Sequence, residues 1–397
     1  MKRKFLSLAI ALLAMSGAVN AQSYEMQIIS NGNITTIDVD DLYKVVFNQK
    51  AYEVEAIPTE TDLYTYVNEN ISLFDTYTNI TFPLVAGGTY TQSAPITVPT
   101  GCKLSFAGDA TQPATITFTA DAGYIVGNGF SISNATIDAS ASSTDFIALN
   151  TTPDTDLLGA TGSGDYYNII GSIELNNVDI TGVNARLIND NNVKYCVGAF
   201  KISDCNIKLT STTASGVASD ALIYFKSGFI NDLTIDKSTI WNAGESDAKY
   251  FIQYNNSARA SRAGYSTNSI SFTNCTFYNV AKAGQWGNYS GFAGQKTSYW
   301  TMTDCIFVDC GNAQVPRRFL GGRSNQSTAT FNNNTYMFDG AFESTDGVVS
   351  GYDDSGTAIE VDPGFADAAN GDFTISGTTQ VERSTGDPRW LPTAATE

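Results

Sequence analysis

Seven basic side chains lie within one stretch of a chain that is otherwise acidic. They are Lys226, Arg259, Arg262, Lys296, Arg317, Arg318 and Arg323. Segment 226–323 contains ten Lys and Arg against six Asp and Glu, whereas the whole chain has a formal charge of −18. Fixed cations raise the local concentration of anions. We therefore expect an anionic ligand to bind at this segment.

Basic residues of this kind support one specific reaction. Cleavage of a uronic-acid polymer by β-elimination needs a base for the proton at C5 and positive charge beside the carboxylate as it gains enolate character. Lysine or arginine can act as the base, and arginine or Ca²⁺ can neutralise the carboxylate. In this hypothesis the catalytic residues are Lys296, Arg262 and Arg259. The alternative is that these residues are solvated charges on the surface of a sheet.

Aromatic side chains near these cations are candidates for stacking against pyranose rings. The glycine-rich stretch 283–295 contains Trp286 and Tyr289, and we expect both rings to be exposed there. Trp241 and Trp300 adjoin apolar strand positions, where packing is an equal interpretation. The predicted substrate-binding residues are Lys226, Tyr254, Trp286, Tyr289, Arg318 and Arg323.

The chain has no histidine, and its six cysteines have no metal-ligand spacing. The lack of histidine excludes triads and general bases that use it, together with most transition-metal sites. Cys205, Cys275 and Cys305 occur at the same place in a repeat, and we expect them to be buried free thiols. Asp353 and Asp354 offer oxygen ligands for Ca²⁺, although a simple acidic turn has the same composition. We predict no metal ligands, with Ca²⁺ as the alternative cofactor.

A phrase such as "ISFTNCTFYNV" (270–280) occurs seven times and would position these residues. Its first apolar column is Ile132, Leu175, Ile202, Ile235, Phe272, Met302 and Phe331. Two residues later comes a polar column: Asn134, Asn177, Asp204, Lys237, Asn274, Asp304 and Asn333. Alternation of apolar and polar residues is typical of strands, and Asn or Asp marks a bend. Periods near 30 residues predict an all-β fold, a right-handed parallel β-helix with three short strands per coil.

The chain is predicted to contain four segments. Residues 1–21 have the basic start, apolar run and small residues of a signal peptide. Residues 22–58 form a small β module with a hairpin at Asn31-Gly32, followed by a linker. Residues 59–195 form the first half of the β-helix and begin with a capping helix at 59–72, whose N-cap is Thr59. Residues 196–397 form the second half and the tail. No stretch beyond the signal is long enough to span a bilayer. We expect an exported protein, located in the periplasm, at the cell surface or outside the cell.

Two stretches carry a resemblance to known proteins. Residues 80–119, with "GTY" before "ITVP", resemble the first coils of pectin-active β-helix enzymes. The ending "GDPRW" (386–390) is similar to that of exported β-helix proteins of Bacteroidetes. Those proteins carry paired domains of unknown function and often lie beside polysaccharide-utilisation genes. The resemblance implies a pectate-lyase-like superfamily fold and a carbohydrate-directed role.

The enzyme signatures of those relatives are missing. Polygalacturonases have a Gly-His-Gly motif that a chain without histidine lacks, and "QVPRRF" (314–319) only partly matches the Arg-x-Pro-x-x-Arg of pectate lyases. We therefore expect a secreted protein that binds a plant or host polysaccharide, which can be anionic or neutral. A polysaccharide lyase and a structural or adhesive surface protein are the alternatives. The acidic composition argues against nucleic acid as a partner.

Overall fold

The structure is a computed structural model that describes residues 25–30, 33–38, 51–153, 166–169, 171–210, 221–243, 248–293, 297–320, 328–342 and 352–392. The predicted signal peptide, Lys296 and Arg323 lie outside these residues. The chain divides into two compact units, residues 1–48 and 49–397. Within the described ranges, helices are too short or too polar to cross a bilayer.

The described part of the first unit is an antiparallel hairpin. It consists of β1 (Glu25–Ser30) and β2 (Asn33–Asp38), with Ser30 opposite Asn33. The two residues between the strands are Asn31-Gly32, a dipeptide favoured in two-residue hairpin loops. The predicted hairpin is therefore confirmed. Residues 39–50 of the predicted module lie outside the described residues.

The second unit consists mainly of three ladders of parallel strands. The first ladder contains β3 (Ala51–Glu53), β5 (Asn79–Pro83), β8 (Lys103–Ala107), β11 (Gly129–Asp138), β14 (Ile173–Val183), β16 (Tyr195–Ser203), β19 (Phe229–Asp236), β22 (Asn268–Thr273), β25 (Ser298–Thr303) and β27 (Thr328–Asn332). Strand β13 (Tyr167–Ile169) joins this ladder beside β16.

The second ladder runs through the carboxyl-terminal halves of β11 and β14. Its other members are β4 (Thr61–Asp62), β6 (Thr89–Gln92), β9 (Ala114–Phe118), β17 (Asn206–Leu209), β20 (Thr239–Asn242), β23 (Thr276–Tyr278), β26 (Ile306–Val308) and β28 (Thr335–Phe338), followed by the antiparallel β29 (Ala341–Phe342). The third ladder contains β7 (Ile96–Thr97), β10 (Tyr124–Val126), β12 (Ile147–Leu149), β15 (Ile188–Asn189), β18 (Ala221–Tyr224), β21 (Tyr250–Gln253) and β24 (Gln285–Asn288).

The first apolar column of the repeat forms one interior row of the first ladder. Ile132 is opposite Leu175, and the pairing continues through each member of the column to Phe331. All seven side chains are buried, with Phe331 the most exposed at 6%. A second interior row runs in the same way from Ile137 to Tyr336. The prediction that corresponding residues of successive copies lie side by side is confirmed.

The polar column forms the bend between the first two ladders. All seven of its residues have left-handed backbone, with φ between 44° and 55°. Asn and Asp tolerate this conformation better than other residues with a side chain. Their side chains also connect neighbouring copies, because Asn177 Nδ2 donates to Asn134 Oδ1 at 2.9 Å and Asn333 Nδ2 donates to Asp304 Oδ1 at 3.0 Å. Lys237 is the one member of the column that is neither Asn nor Asp, and its backbone has the same conformation.

The residue after the bend points into the interior. Cys205, Cys275 and Cys305 are fully buried free thiols there, as predicted. The Sγ of Cys275 donates to Thr273 O at 3.2 Å, and burial raises the pKa of the Cys205 thiol to about 12. Ser238 takes the same position between the cysteines, and its Oγ accepts from the Cys205 amide at 3.0 Å. Small polar side chains are therefore satisfied by the adjacent main chain.

The described ranges contain four short α-helices: α1 (Leu63–Glu69), α2 (Ser290–Ala293), α3 (Val315–Phe319) and α4 (Thr378–Arg383). Helix α1 is the predicted capping helix, and it buries Leu63 and Val67. Its N-cap is Asp62, whose carboxylate accepts from Thr65 N at 3.0 Å, so the prediction of Thr59 was wrong. Thr59 does not adjoin the helix, because Glu60 has left-handed backbone with φ of 63° and Thr61 and Asp62 form β4, which pairs with β6.

Residues 373–390, here called the C-terminal strap, cross the second ladder and its bend column. The contacts are Arg383 to Asn333 Oδ1 at 3.0 Å, Asn274 to Ser384 O at 2.8 Å, Gly386 N to Asp304 O at 2.8 Å, and Arg389 to Asp179 Oδ1 at 2.7 Å and Asp204 O at 2.9 Å. The strap therefore ties together copies of the repeat that are far apart in sequence.

A buried network anchors the end of the strap. Trp390 Nε1 donates to Thr239 Oγ1 at 2.7 Å, and Thr239 donates to Asp387 Oδ2 at 2.8 Å. The Asp387 amide donates to Thr276 Oγ1 at 3.0 Å. Phe373 is fully buried, and its ring lies 5.6 Å from that of Trp241. The tail that lacks the repeat is thus packed against the second ladder, in a buried group with Trp241 that is separate from the interior rows.

Candidate functional site

The predicted aromatic platform is buried. Trp286 and Tyr289 are 0% exposed, and Tyr254 is 1% exposed. The Trp286 ring lies 4.4 Å from that of Phe251, and the Tyr289 hydroxyl donates to Phe319 O at 3.0 Å. A buried ring cannot stack against a sugar, so the expectation of exposure was wrong for Trp286 and Tyr289, and Tyr254 is equally inaccessible.

The glycines around these aromatics explain the error. A Cβ on Gly287 would lie 2.3 Å from the ring of Tyr289. The glycine therefore makes room for the ring to pack against the backbone, whereas the sequence suggested a flexible, exposed loop. Trp241 and Trp300 are also buried, and Trp300 Nε1 donates to Asn268 Oδ1 at 3.0 Å. For these two residues the packing interpretation is confirmed.

The basic residues occupy different environments. A terminal nitrogen of Arg259 donates to Ala258 O at 2.7 Å and to Gly291 O at 2.6 Å. It clamps the main chain, as a guanidinium with fixed donors does well. Arg262, in the 3₁₀ turn Ala260–Ala263, and Lys226 are both exposed. Lys296 and Arg323 lie outside the described residues.

Arg318, a member of the predicted set, lines a cavity of about 180 Å³. The cavity, here called the Arg318 pocket, lies at the amino ends of β21 and β24 beside α3. Its lining residues are Lys249, Ala283, Gly284, Gln285, Asn312, Gln314 and Arg318. The Lys249 ammonium lies 5.4 Å from the centre of the Tyr250 ring, a cation–π contact that helps to fix its position. Among these lining residues two are cations and none is an acid.

Two polar atoms of the Arg318 pocket are buried and have no hydrogen-bond partner within the described part of the chain. They are the donor Nε of Arg318 and the acceptor Oε1 of Gln314. A buried polar atom left unpaired costs about 1–3 kcal/mol. Such atoms need an explanation in a folded protein, and a ligand-binding role is one. The pair would suit a ligand with both an anionic group and a hydroxyl.

The backbone around the Arg318 pocket is unusual. Asn312 and Ala313 have φ of 50° and 54°, and Ala281 has φ of 48°. Left-handed backbone at residues other than glycine costs on the order of 1–3 kcal/mol and is concentrated at functional sites. Gly284 is required for a different reason, because a Cβ there would lie 2.3 Å from Lys249 O. Lys249, Gln285 and Gln314 were not identified as site residues from the sequence, although Gln314 begins the stretch "QVPRRF" that was compared with the pectate-lyase motif.

A second feature is the exposed face of the first ladder. Tyr299 on β25 is 55% exposed, and its neighbours in register are Ser269 and Thr328. Tyr299 and eight serine and threonine residues of the same ladder are here called the hydroxyl face. The eight are Thr234, Ser269, Ser271, Thr273, Thr301, Thr303, Thr328 and Thr330. Alternation along "SYWTMT" places Tyr299 outward between the buried Ser298 and Trp300, so the sequence held a signal that we missed.

The acidic turn at Asp353 has a structural role. Asp353 Oδ2 accepts from the Tyr336 hydroxyl at 2.9 Å, and Oδ1 accepts from Ser355 Oγ at 2.6 Å. Within the described ranges there is no group of three Asp, Glu, Cys or His residues placed to hold a metal ion. The alternative of Ca²⁺ at Asp353 and Asp354 therefore gains no support.

Comparison with known families gives two adjacent matches. Residues 88–243 match the family described as "Domain of unknown function (DUF4957)", and residues 233–390 match "Domain of unknown function (DUF5123)". The resemblance to proteins with paired domains of unknown function is confirmed to this extent. A search of curated proteins found no match. The two matched segments meet at 233–243, where β19 and β20 pair in register with strands on both sides.

Proposed function

We propose that residues 49–397 form a right-handed parallel β-helix of the pectate-lyase-like kind, with three strands per coil. Three ladders of parallel strands, linked in a constant order along the chain, support this proposal. The left-handed bend column and the continuous interior rows support it too. Parallel crossover connections are overwhelmingly right-handed, which supports the handedness.

We propose further that the protein is exported and binds a polysaccharide without cleaving it, as part of glycan utilisation. The observation that carries this proposal is the hydroxyl face with the exposed ring of Tyr299. Aromatic rings with a polar edge combine a large apolar contact with a hydrogen bond, which suits a sugar. Strands spaced about 4.8 Å apart repeat this polar surface at regular intervals, as an extended polymer requires.

The lyase alternative has less support. Arg259, one of its three assigned residues, uses its guanidinium to hold two main-chain carbonyls. A base must reach the proton that it abstracts, and an arginine fixed in this way is a structural element. The structural or adhesive alternative predicts the same fold without specific glycan affinity.

Affinity electrophoresis tests the proposal. The mature protein would be run through gels containing polygalacturonan, alginate, chondroitin or neutral plant glycans. We expect one of these polymers to retard the wild type, and Tyr299→Ala to weaken the retardation at least tenfold. Tyr64→Ala is the matched control, because Tyr64 is also exposed, at 37%, but lies on α1. It should change the retardation less than twofold.

Three outcomes would overturn binding at the hydroxyl face. One is equal loss of retardation in both tyrosine variants. Another is no retardation by any polymer, which would favour the structural or adhesive alternative. The third is ultraviolet absorbance of unsaturated uronate appearing in the presence of an acidic polymer, which would establish a lyase.

A further inference from the structure

We infer that the Arg318 pocket binds a single sugar residue that carries one anionic group beside a hydroxyl. The anion would lie between Lys249 and Arg318, and the hydroxyl would donate to Gln314. This inference adds a second site to the proposed function and names its ligand class. It does not rest on Tyr299, which lies on a different ladder.

The charge of the lining selects the anion. Lys249 and Arg318 are the charged residues among those that line the pocket, and both are cations. The nearby Lys282 does not add to this charge, because its ammonium is paired with Asp309 at 2.9 Å and Asp339 at 3.0 Å. An anion that enters the pocket would therefore meet two cations that it can pair with.

The unpaired atoms select the accompanying hydroxyl. Arg318 Nε is a donor, so an anion can satisfy it, and charge-assisted hydrogen bonds are the strong ones. Gln314 Oε1 is an acceptor, so an anion cannot satisfy it, and it needs a donor such as a hydroxyl. A bare inorganic anion would leave Gln314 unpaired. A sugar acid or a sugar sulfate satisfies both atoms.

The size of the cavity limits the ligand to about one sugar. Pockets for drug-sized ligands run from about 300 to 1,000 Å³, and this cavity is about 180 Å³. The walls are well fixed. Asn312 N donates to Lys282 O at 3.0 Å, and Arg318 N donates to Gln314 O at 2.9 Å. The pocket is therefore built to hold one sugar residue, at a chain end or branch.

Calorimetric titration of the mature protein tests the inference with galacturonate, galactose 6-sulfate, galactose and inorganic sulfate. We expect galacturonate or galactose 6-sulfate to bind at least tenfold more tightly than galactose and than inorganic sulfate. The tighter of the two identifies the anion as a carboxylate or a sulfate ester. Loss of a charged hydrogen bond should make Arg318→Gln at least tenfold weaker for the preferred ligand.

Arg317→Gln is the matched control. Arg317 is adjacent in sequence and exposed, and it is not among the lining residues. Its substitution should change the affinity less than twofold, and so should Tyr299→Ala. Gln314→Glu is a second variant of nearly the same size, in which a carboxylate replaces the acceptor amide. It should weaken binding at least tenfold by repelling the anion, even if Arg318→Gln fails to fold.

Four results would overturn the inference. They are galactose binding as tightly as the anionic sugars, inorganic sulfate binding as tightly as they do, equal effects of Arg317→Gln and Arg318→Gln, or no saturable binding of any probe by protein with a folded circular dichroism spectrum. If affinity electrophoresis showed no role for Tyr299 in polymer binding, the calorimetric results for the Arg318 pocket could still be interpreted. The two proposals are therefore tested separately.

Discussion

The side covered by the C-terminal strap and the hydroxyl face are built from the same repeat, but the polar groups are buried on the first and exposed on the second. Under the C-terminal strap, Thr239 and Thr276 are fully buried and bond to Asp387. On the hydroxyl face, Thr328 and Thr330 remain exposed, as does Tyr299. The repeat thus provides two polar surfaces, and the strap uses one of them for stability. The other surface is available to a partner.

The largest expected effect is removal of the strap's aromatic anchor. Phe373→Ala should destabilise the protein by about 3–5 kcal/mol, as deletion of a buried phenylalanine does elsewhere. Phe373 is 0% exposed, and its ring also lies 5.7 Å from that of Trp390. Equilibrium unfolding in urea would measure the loss.

Tyr299→Ala supplies the contrast, because it removes an aromatic ring of similar size from the uncovered face. We expect its free energy of unfolding to change by less than about 1 kcal/mol, since exposed positions contribute little. Equal destabilisation by the two variants would contradict the division into a stabilising side and a binding side.

The next largest effect concerns the buried carboxyl of the strap. Burial raises the pKa of Asp387 from its ordinary value to about 6, against the opposing effects of the Arg389 amide and Thr239. Between about pH 4 and 6 the folded protein then holds this proton more tightly than the unfolded chain does. Stability from this group is therefore complete at low pH and falls as pH rises through that window, by on the order of 3 kcal/mol.

Asp387→Asn isolates this contribution, because the amide keeps an acceptor oxygen for Thr239 and does not titrate. Urea unfolding of both proteins at several pH values would give two curves, and their difference should change between pH 4 and 6. Curves that stay parallel would show that Asp387 has an ordinary pKa in the folded protein.

The smallest effect tests the bend column. Lys237 has φ of 44° at a position where all six of the other copies place Asn or Asp close to the same angle. Lys237→Asn should stabilise the protein by about 0.5 kcal/mol, because asparagine adopts left-handed backbone more readily. The ion pair with Asp236, at 3.7 Å between groups that are partly exposed, contributes little to offset this. Thermal unfolding would detect the gain, and a lower melting temperature would contradict it.

Local features of the sequence were enough to predict the repeating part of the fold. Each copy pairs with its neighbour, so a column such as Ile202, Phe272 and Met302 can be aligned without long-range information. The strap could not be predicted in this way. Arg389 bonds to Asp179, 210 residues earlier, and "GDPRW" contains no pattern that names its partner.

The site was harder to predict than the fold. Arg318 was identified from its charge, but its partners were not. Lys249 lies 69 residues earlier, and Gln314 is the N-cap residue of the same short helix, α3, where nothing in the sequence distinguishes it as a binding residue. Trp286 was assigned to the surface because glycines surround it, although Gly287 makes room for the ring of Tyr289 and Gly284 for the main chain at Lys249. Burial of a side chain depends on what packs over it, and a strand pattern gives only the direction in which it points.

The cysteine thiols can report which parts of this chain unfold first. All six cysteines are described, lie outside disulfides and are no more than 5% exposed, from Cys102 near one end of the ladders to Cys310 near the other. An alkylating reagent attacks the thiolate, which burial disfavours. Each cysteine should therefore become modified only when its own stretch of the stack separates. Mass spectrometry of labelled peptides would then show whether the stack frays from its ends or comes apart all at once.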